Sequence, residues 1–136
     1  MAKLSVELVT PERRVVDVKD IDMVIAPAVE GQVAILPNHA PLITELQPGV
    51  LTIRREGRDE YLAVSGGFFE VLRNKITVLA DSSERSEEID LDRAREARDL
   101  AIQELAAPQE PSETIRARIT LLRAIARLRA AERGGR

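Results

Sequence analysis

The period of the apolar residues changes once along this chain, within residues 81–94, which read DSSERSEEIDLDRA. Before this segment apolar residues recur at every second position, as they do on one face of a β-strand. After it they recur at every third and fourth position, as they do along one side of a helix. The segment itself is polar and acidic. The sequence therefore predicts a β domain over residues 1–84, followed by an α-helical domain over residues 85–136.

Short strands are predicted throughout residues 1–80, because alternating apolar runs are separated by frequent turn signals. The alternation is clearest in residues 3–9, KLSVELV. Nine or ten strands result if the chain turns at Pro48-Gly49, Glu56-Gly57-Arg58, Ser65-Gly66-Gly67 and Arg73-Asn74. No helical pattern lies between the strands, so we expect an antiparallel sandwich or flattened barrel without parallel crossovers.

Two helices are predicted after the change of period. Asp90 is a suitable N-cap for a first helix that begins at Leu91, and the proline-containing segment 107–111 ends that helix. Ser112 is a suitable cap for the second helix, which ends at Gly134-Gly135. The short connection makes the helices antiparallel neighbours, so the acidic first helix is expected to lie against the arginine-rich second. Their combined apolar face is wider than one partner helix covers.

The composition argues against several functional classes. The net charge is −3 at pH 7, which is unlike a general nucleic-acid-binding protein. Cysteine is absent, so neither a disulfide framework nor a thiolate metal site is predicted, in keeping with a reducing compartment. No apolar run approaches the ~20 residues that span a bilayer, and no signal peptide is recognisable. We therefore expect a protein that faces the cytoplasm and does not insert into the membrane.

Catalytic and metal sites are not predicted either. His39 is the one histidine, and no carboxylates accompany it at the spacing of metal ligands. The sequence has no nucleophile elbow, no phosphate-binding loop of the GxxxxGK[ST] type and no GxGxxG fingerprint. His39 lies between Pro37 and Pro41 in a stiff loop. It either stabilises this loop or contacts a partner.

The basic face of the second helix leaves three interpretations open. Arg116, Arg123 and Arg127 share this face, and the last two are one helical turn apart. Guanidinium groups at that spacing can clamp phosphate oxygens by forked hydrogen bonds. The same face can dock on an acidic protein surface, or it is simply solvated. Asp90 and Arg93, three residues apart, either belong to such a site or form a helix cap.

Four ordered motifs in this chain resemble one known family. They are GQVAILPNHAPLIT at residues 31–44, YLAVSGGFFEV at 61–71, KITVLAD at 75–81 and IDLDRA at 89–94. With them the chain resembles, over nearly its whole length, the epsilon subunits of bacterial and chloroplast F-type ATP synthases. The resemblance implies an antiparallel ten-stranded β-sandwich followed by an antiparallel two-helix hairpin. It also implies a non-catalytic subunit of the rotor stalk, peripheral to the cytoplasmic face of a plasma membrane or the stromal face of a thylakoid.

The partners that the resemblance implies are the gamma subunit, the ring of c subunits and the catalytic alpha and beta subunits. The sandwich would dock on gamma, partly through Ser65-Gly66-Gly67, and would meet the c ring with the loop around Glu30, Gly31 and His39. The hairpin would move between a docked state and an extended state that blocks ATP hydrolysis. In the extended state the catalytic subunits would be contacted by Arg116, Arg118, Arg123 and Arg127.

ATP is a further ligand that the resemblance implies, as a regulator of the docked hairpin and not as a required cofactor. The family's nucleotide-binding pattern is matched by Glu84, Ile89, Asp90, Arg93, Ala94, Arg123 and Arg127. Pro108 and Pro111 depart from the pattern in the connection between the helices. No metal site is expected. Two alternatives stay open: a purely structural stalk subunit without inhibition, and a free-standing β-sandwich that binds a small ligand.

Overall fold

The computed structural model describes residues 2–136, which form a β-sandwich followed by a helical hairpin. The sandwich strands are β1 (Leu4–Val9), β2 (Arg14–Ile21), β3 (Met23–Ala28), β4 (Gly31–Ile35), β5 (Leu42–Arg55), β6 (Arg58–Leu72), β7 (Lys75–Ala80) and β8 (Ser83–Arg85). A short 3₁₀ turn at Ser86–Glu88 connects them to the helices α1 (Leu91–Ala106) and α2 (Pro111–Arg133). The predicted fold class is thus confirmed. No helix in this part of the chain is long and apolar enough to cross a membrane.

The sheet has eight strands and is mixed, where ten antiparallel strands were expected. Its order is β2-β1-β7-β6-β5-β3-β4, and β8 pairs with β6. The pairs are antiparallel except for β1 and β7, which run parallel from Ser5 opposite Lys75 to Val9 opposite Leu79. This parallel pair needs no crossover helix, because five strands, β2 to β6, connect β1 to β7 along the chain. The exclusion of parallel pairing was therefore wrong.

The strand count is lower because two predicted turns are bends within long strands. β5 has 14 residues and continues through Pro48-Gly49, and β6 has 15 and continues through Ser65-Gly66-Gly67. Both Gly66 and Gly67 have positive φ, and a β-carbon on Gly67 would overlap the carbonyl oxygen of Leu79. The bend also shifts the alternation of side chains, since Val64 and Phe69 both lie in the core. The glycines therefore fold one sheet over into two layers without ending the strand.

The outer face of the layer formed by β5, β6 and β7 is unusually apolar. Phe69, Val71, Ile76 and Val78 fill the core, so the residues that alternate with them on β6 and β7 point outward, as do the residues that pair beside these on β5. Three of these outward side chains are largely exposed: Ile43 by 73%, Phe68 by 58% and Leu79 by 54%. Phe68 lies directly opposite Leu79 and diagonally from Ile43. We call these three residues the outer strip.

The hairpin helices begin and end close to the predicted positions. The Asp90 side chain accepts a hydrogen bond of 3.1 Å from the backbone N–H of Arg93, which confirms it as the N-cap of α1. The predicted cap at Ser112 is wrong, because the N-cap of α2 is Glu110, two residues earlier, and the helix begins at Pro111. Proline is favoured at the first helical position, where its missing N–H leaves no bond unmade. Gly134 follows the last helical residue, as expected.

Alanines, not ion pairs, line the contact between the two helices. Residues buried at intervals of seven are Ala94 and Ala101 on α1, and Ala117, Ala124 and Ala131 on α2. Their small side chains let the helix backbones approach closely. No ion pair joins α1 to α2 within residues 2–136, so the expected charge complementarity is not formed. The ion pairs of the two helices lie elsewhere: Arg127 of α2 pairs with Glu84 of the sandwich, and Arg95 and Arg98 pair with acids of α1 itself.

The hairpin lies on the second layer of the sandwich, through α2. The apolar cluster between them contains Val50, Ala63, Ile89, Ala130 and Ala131. The buried side chains that α2 contributes to this cluster are alanines, and the larger side chains Ile115, Ile119 and Leu122 on α2 remain exposed. The hairpin therefore covers one outer face of the sandwich, leaves the outer strip uncovered and keeps an apolar surface of its own.

The segment before α1 is held to the sandwich by charged side chains. Arg85 pairs with Glu60 and donates a hydrogen bond of 2.8 Å to the carbonyl of Val15. Glu88 accepts hydrogen bonds from the Arg13 guanidinium at 3.2 Å and from the Arg85 N–H at 3.0 Å. These bonds, first that from Arg13, hold the pKa of the Glu88 carboxyl below its ordinary value. The start of the hairpin is therefore anchored at neutral pH.

Candidate functional site

A cleft of about 300 Å³ lies between the second layer of the sandwich and the hairpin. Glu84, Arg123 and Arg127 all line it, so the structure brings together three residues that the resemblance placed in a nucleotide site. Glu84 comes from β8 and the two arginines come from α2, at least 39 residues later in the chain. The remaining lining residues are Ala63, Val64, Ser65, Ser82, Ser83, Ala97, Thr120 and Ala124.

Strand pairing directs Glu84 into this cleft. Glu84 lies opposite Ala63, whose side chain packs toward α2, whereas its neighbour Ser83 lies opposite the core residue Val64. Arg127 then meets the Glu84 carboxylate with two hydrogen bonds, Nε to Oε1 at 2.6 Å and Nη2 to Oε2 at 3.3 Å. This forked pair is a direct charged link between the sandwich and α2.

Arg123 lies one turn before Arg127 on the same side of α2. Its guanidinium forms no hydrogen bond or ion pair with any residue in the described range 2–136, so its donors face the cleft unused. Arg127, by contrast, already has the Glu84 carboxylate as a partner. Replacing Arg127 removes a structural link as well as a possible ligand contact. Arg123 alone tests ligand binding without this complication, a distinction that the sequence did not show.

The floor of the cleft is polar in a way that sequence reasoning missed. The hydroxyls of Ser65 and Ser82 are hydrogen-bonded to each other beneath the hairpin, and Thr120 lines the opposite wall on α2. Ser65 belongs to the glycine-containing bend, which looked like a turn. No sequence signal connected these three residues, because they come from separate segments that only the folded chain brings together.

The other four residues of the predicted nucleotide site lie at or before the start of α1, outside the lining of this cleft. Ile89 is buried between sandwich and hairpin, and Ala94 is buried against α2. Asp90 caps α1, and the Arg93 side chain is exposed. Ala97 is the residue of α1 that reaches the cleft, about one turn beyond Ala94.

The residues expected near the c ring lie at two ends of one edge strand. Glu30 and Gly31 are in the turn before β4 and at its start, whereas His39 is in the loop after it. A strand of five residues spans about 13 Å or more, so these residues do not share one loop. The His39 ring donates a hydrogen bond of 2.6 Å from Nδ1 to the Ala40 carbonyl and is otherwise exposed. It therefore stabilises its loop and is also accessible to a partner.

The four arginines expected to meet the catalytic subunits are divided by the docked hairpin. Arg123 and Arg127 line the cleft, while Arg116 and Arg118 are exposed on the first half of α2.

Within residues 2–136, no group of three or more histidine, cysteine or acidic side chains is arranged to hold a metal ion. The cleft instead offers one free guanidinium, one paired guanidinium and several hydroxyls. These groups suit a ligand that carries phosphate and hydroxyl groups.

Family comparisons cover both parts of the chain. The family described as ATP synthase, Delta/Epsilon chain, beta-sandwich domain matches residues 3–86. The family described as ATP synthase, Delta/Epsilon chain, long alpha-helix domain matches residues 87–132. Together these matches include nearly every residue of the sandwich and the hairpin.

Several relatives are similar over their full length. The ATP synthase epsilon chain of Moorella thermoacetica is 48% identical over 132 residues, which are 96% of this chain and 98% of the relative. That of Herpetosiphon aurantiacus is 48% identical over 129 residues, or 95% of this chain and 94% of the relative.

Two solved structures share the fold. One, described as a cryo-EM structure of Euglena gracilis mitochondrial ATP synthase, OSCP/F1/c-ring, has a chain that matches with a TM-score of 0.84 at 22% identity, covering 97% of this chain and 82% of the other. A chain in the central stalk/c-ring structure of Tetrahymena thermophila mitochondrial ATP synthase matches with a TM-score of 0.66 at 17% identity, covering 95% and 96%. Sequence and fold agree, and the chain belongs to the ATP synthase delta/epsilon chain family, among its epsilon chains.

Proposed function

We propose that this chain is a central-stalk subunit of the rotary ATP synthase that links gamma to the c ring and restrains ATP hydrolysis through its hairpin. Epsilon chains are non-catalytic subunits of the complex, in agreement with the prediction that the chain is not itself an enzyme. The observation that carries the proposal is the opposite placement of two surfaces. The outer strip is exposed on one layer of the sandwich, and the hairpin is docked on the other.

Gamma is the partner that we assign to the outer strip. An exposed cluster of Ile43, Phe68 and Leu79 has the apolar centre that stable protein interfaces bury. Because the hairpin occupies the other layer, the sandwich can stay bound to gamma whether the hairpin is docked or extended. The c ring is assigned to the edge strand β4, with Glu30 and Gly31 at one end and His39 beyond the other.

The hairpin has the properties of an element with two partners. We take residues 1–84 as the fixed domain and residues 85–136 as the mobile one. The docked hairpin buries mainly alanines, so leaving the sandwich exposes little apolar surface. Its exposed Ile115, Ile119 and Leu122 then become available to the catalytic subunits, with Arg116, Arg118, Arg123 and Arg127 meeting acidic loops. Inhibition of hydrolysis follows when the extended hairpin obstructs rotation.

A reversible lock of the hairpin tests this regulatory role. The chain has no cysteine, and Ala63 and Ala130 belong to the same apolar cluster under α2, so an intramolecular disulfide in the variant with Ala63→Cys and Ala130→Cys would join the sandwich to the hairpin. In the assembled enzyme we expect faster ATP hydrolysis when this disulfide holds the hairpin docked, and slower hydrolysis after reduction. The control is either single cysteine variant under the same oxidising and reducing conditions.

Equal hydrolysis rates before and after reduction, across several ATP concentrations, would support a purely structural stalk subunit. If the chain fails to copurify with gamma and the c ring, the free-standing ligand-binding sandwich is the better description.

The location of the subunit follows from its proposed place in the central stalk. The subunit is then peripheral to the membrane, on the cytoplasmic face of a plasma membrane or the stromal face of a thylakoid.

ATP is the ligand that we propose for the cleft, where it would stabilise only the docked hairpin. The proposal is supported by the cleft lining: Arg123 and Arg127 would donate hydrogen bonds to phosphate oxygens, and Ser65, Ser82 and Thr120 offer hydroxyl groups. Because the cleft has walls from both the sandwich and the hairpin, a ligand within it binds the docked state better than the extended one. Such a ligand shifts the equilibrium toward docking by its difference in affinity.

Calorimetric titration of the isolated chain with ATP tests the cleft. We expect Arg123→Ala to weaken ATP binding by at least about tenfold, because it removes a charged donor that has no partner among residues 2–136. Arg118→Ala is the matched control, since it removes an exposed arginine on the same helix that does not line the cleft. Absence of binding to the unmodified chain at millimolar ATP, or equal weakening by both substitutions, would contradict the proposed site.

A further inference from the structure

The last residues after α2 return to the segment where the hairpin begins. The guanidinium of Arg136 donates from Nη1 to the carbonyl oxygen of Ser86 at 2.9 Å and to that of Ile89 at 2.6 Å. Both carbonyls lie between β8 and α1, and the Ser86 carbonyl also accepts a long hydrogen bond of 3.4 Å from the Ile89 N–H, which closes the 3₁₀ turn. One charged side chain thus provides hydrogen bonds for two backbone acceptors in the connecting segment.

Gly134 permits this return because it leaves no side chain in the way. A β-carbon at Gly134 would lie 2.5 Å from Oγ and 2.7 Å from Cβ of Ser86, and real β-carbons essentially never approach such atoms to less than 3.0 Å. The φ of Gly134 is −75°, which any residue adopts, so the requirement is for space and not for backbone freedom. The next residue, Gly135, has φ +93° and redirects the chain so that Arg136 reaches the carbonyls.

We infer that Gly134, Gly135 and Arg136 form a latch that holds the end of α2 against the connecting segment and keeps the hairpin docked. Arg13 and Glu60 hold the connecting segment on the sandwich through Glu88 and Arg85. When α2 leaves the sandwich and this segment stays behind as the pivot, both guanidinium bonds must break and Gly134 must separate from Ser86. The latch joins backbone carbonyls to an arginine, so it does not depend on the protonation of any carboxylate. It lies beyond the cleft and shares none of its lining residues.

The latch also complements the other charged link of the hairpin. The Arg127–Glu84 pair ties α2 to β8 at the cleft, nine residues before Arg136 in the chain. Arg136 ties the end of the same helix to the start of the hairpin. These two separate links add to the apolar contact beneath α2, to which the helix contributes alanines. This inference uses the mobile hairpin of the proposed function, but its test does not depend on inhibition or on ATP.

A thiol placed beneath α2 measures undocking directly. Ala63 is buried under the helix and the chain contains no cysteine, so Ala63→Cys introduces a single thiol that is protected while the hairpin is docked. In the full isolated chain, we expect Arg136→Ala to increase the rate of modification of this thiol by about tenfold, the lower range for hydrogen bonds to a charged group. The matched control is Arg133→Ala, which removes an equal charge from the last turn of α2 but none of the latch bonds.

A second pair of variants separates the latch from general loss of folding. Gly134→Ala is expected to raise the modification rate as Arg136→Ala does, because its methyl group would displace Ser86. Adding Ser86→Gly removes the two atoms nearest to the methyl group, so it should restore most of the protection. The inference is overturned if Arg136→Ala and Arg133→Ala give equal rates, or if Gly134→Ala leaves the rate unchanged. Circular dichroism of each variant verifies that the sandwich remains folded.

Discussion

Replacing Gly67 with alanine is expected to destabilise the sandwich by more than about 4 kcal/mol, near the upper end of single-residue effects. The new β-carbon would overlap the carbonyl oxygen of Leu79 and lie 2.8 Å from the Cα of Ala80, both on the paired strand β7. The φ of +123° adds backbone strain for any residue with a side chain. Relief of the overlap requires β6 and β7 to separate at the bend that forms the two layers.

Urea denaturation measures this effect, through a lower midpoint at unchanged slope or through the absence of a folded baseline. Gly57→Ala is the matched control. Gly57 also has positive φ, +76°, but apart from Gly57 itself and its two chain neighbours no heavy atom of residues 2–136 lies within 4 Å of the position of its β-carbon. We expect it to cost only about 1–2 kcal/mol of backbone strain. Similar costs at the two glycines would show that backbone conformation, and not the close approach of β7, makes glycine necessary at residue 67.

A charge in the outer strip is expected to abolish docking on gamma while leaving the fold intact. Leu79→Asp places a carboxylate beside Phe68, at the centre of the apolar surface that we assign to gamma. Burying this unpaired charge in the complex is costly, so we expect at least about a hundredfold weaker binding to isolated gamma. The free chain should lose little stability, because the Leu79 side chain is already 54% exposed.

The matched control for this charge is Leu100→Asp, at a leucine that is 57% exposed on α1 and distant from the strip. Binding of each variant to gamma can be compared by titration calorimetry, and assembly by copurification with the complex. Equal affinities for the two aspartate variants would place gamma on another surface of the sandwich. Loss of binding only with Leu100→Asp would indicate that the hairpin itself is the docking element.

The candidate site was visible in the sequence only in part. Arg123 and Arg127 could be paired because a helix places residues four apart on one side, and Glu84 was added by family resemblance. The forked bond between Arg127 and Glu84 makes them unequal as ligands, and that bond depends on how α2 docks. Ser65, Ser82 and Thr120 could not be connected to them, because their proximity results from tertiary contacts alone.

By itself the sequence determined the order of the two parts, the cap at Asp90, the helical faces and the family, since each depends on local period or on ordered motifs. Only the tertiary structure decided that β1 pairs parallel to β7, that two glycines bend a strand where a turn was expected, and that alanines line the helical contact in place of ion pairs. The physical reason is how far apart in the chain the interacting residues lie. Local patterns reflect a few neighbouring residues, whereas strand pairing, close backbone approach and helix docking are set by the packing of distant segments around a shared core.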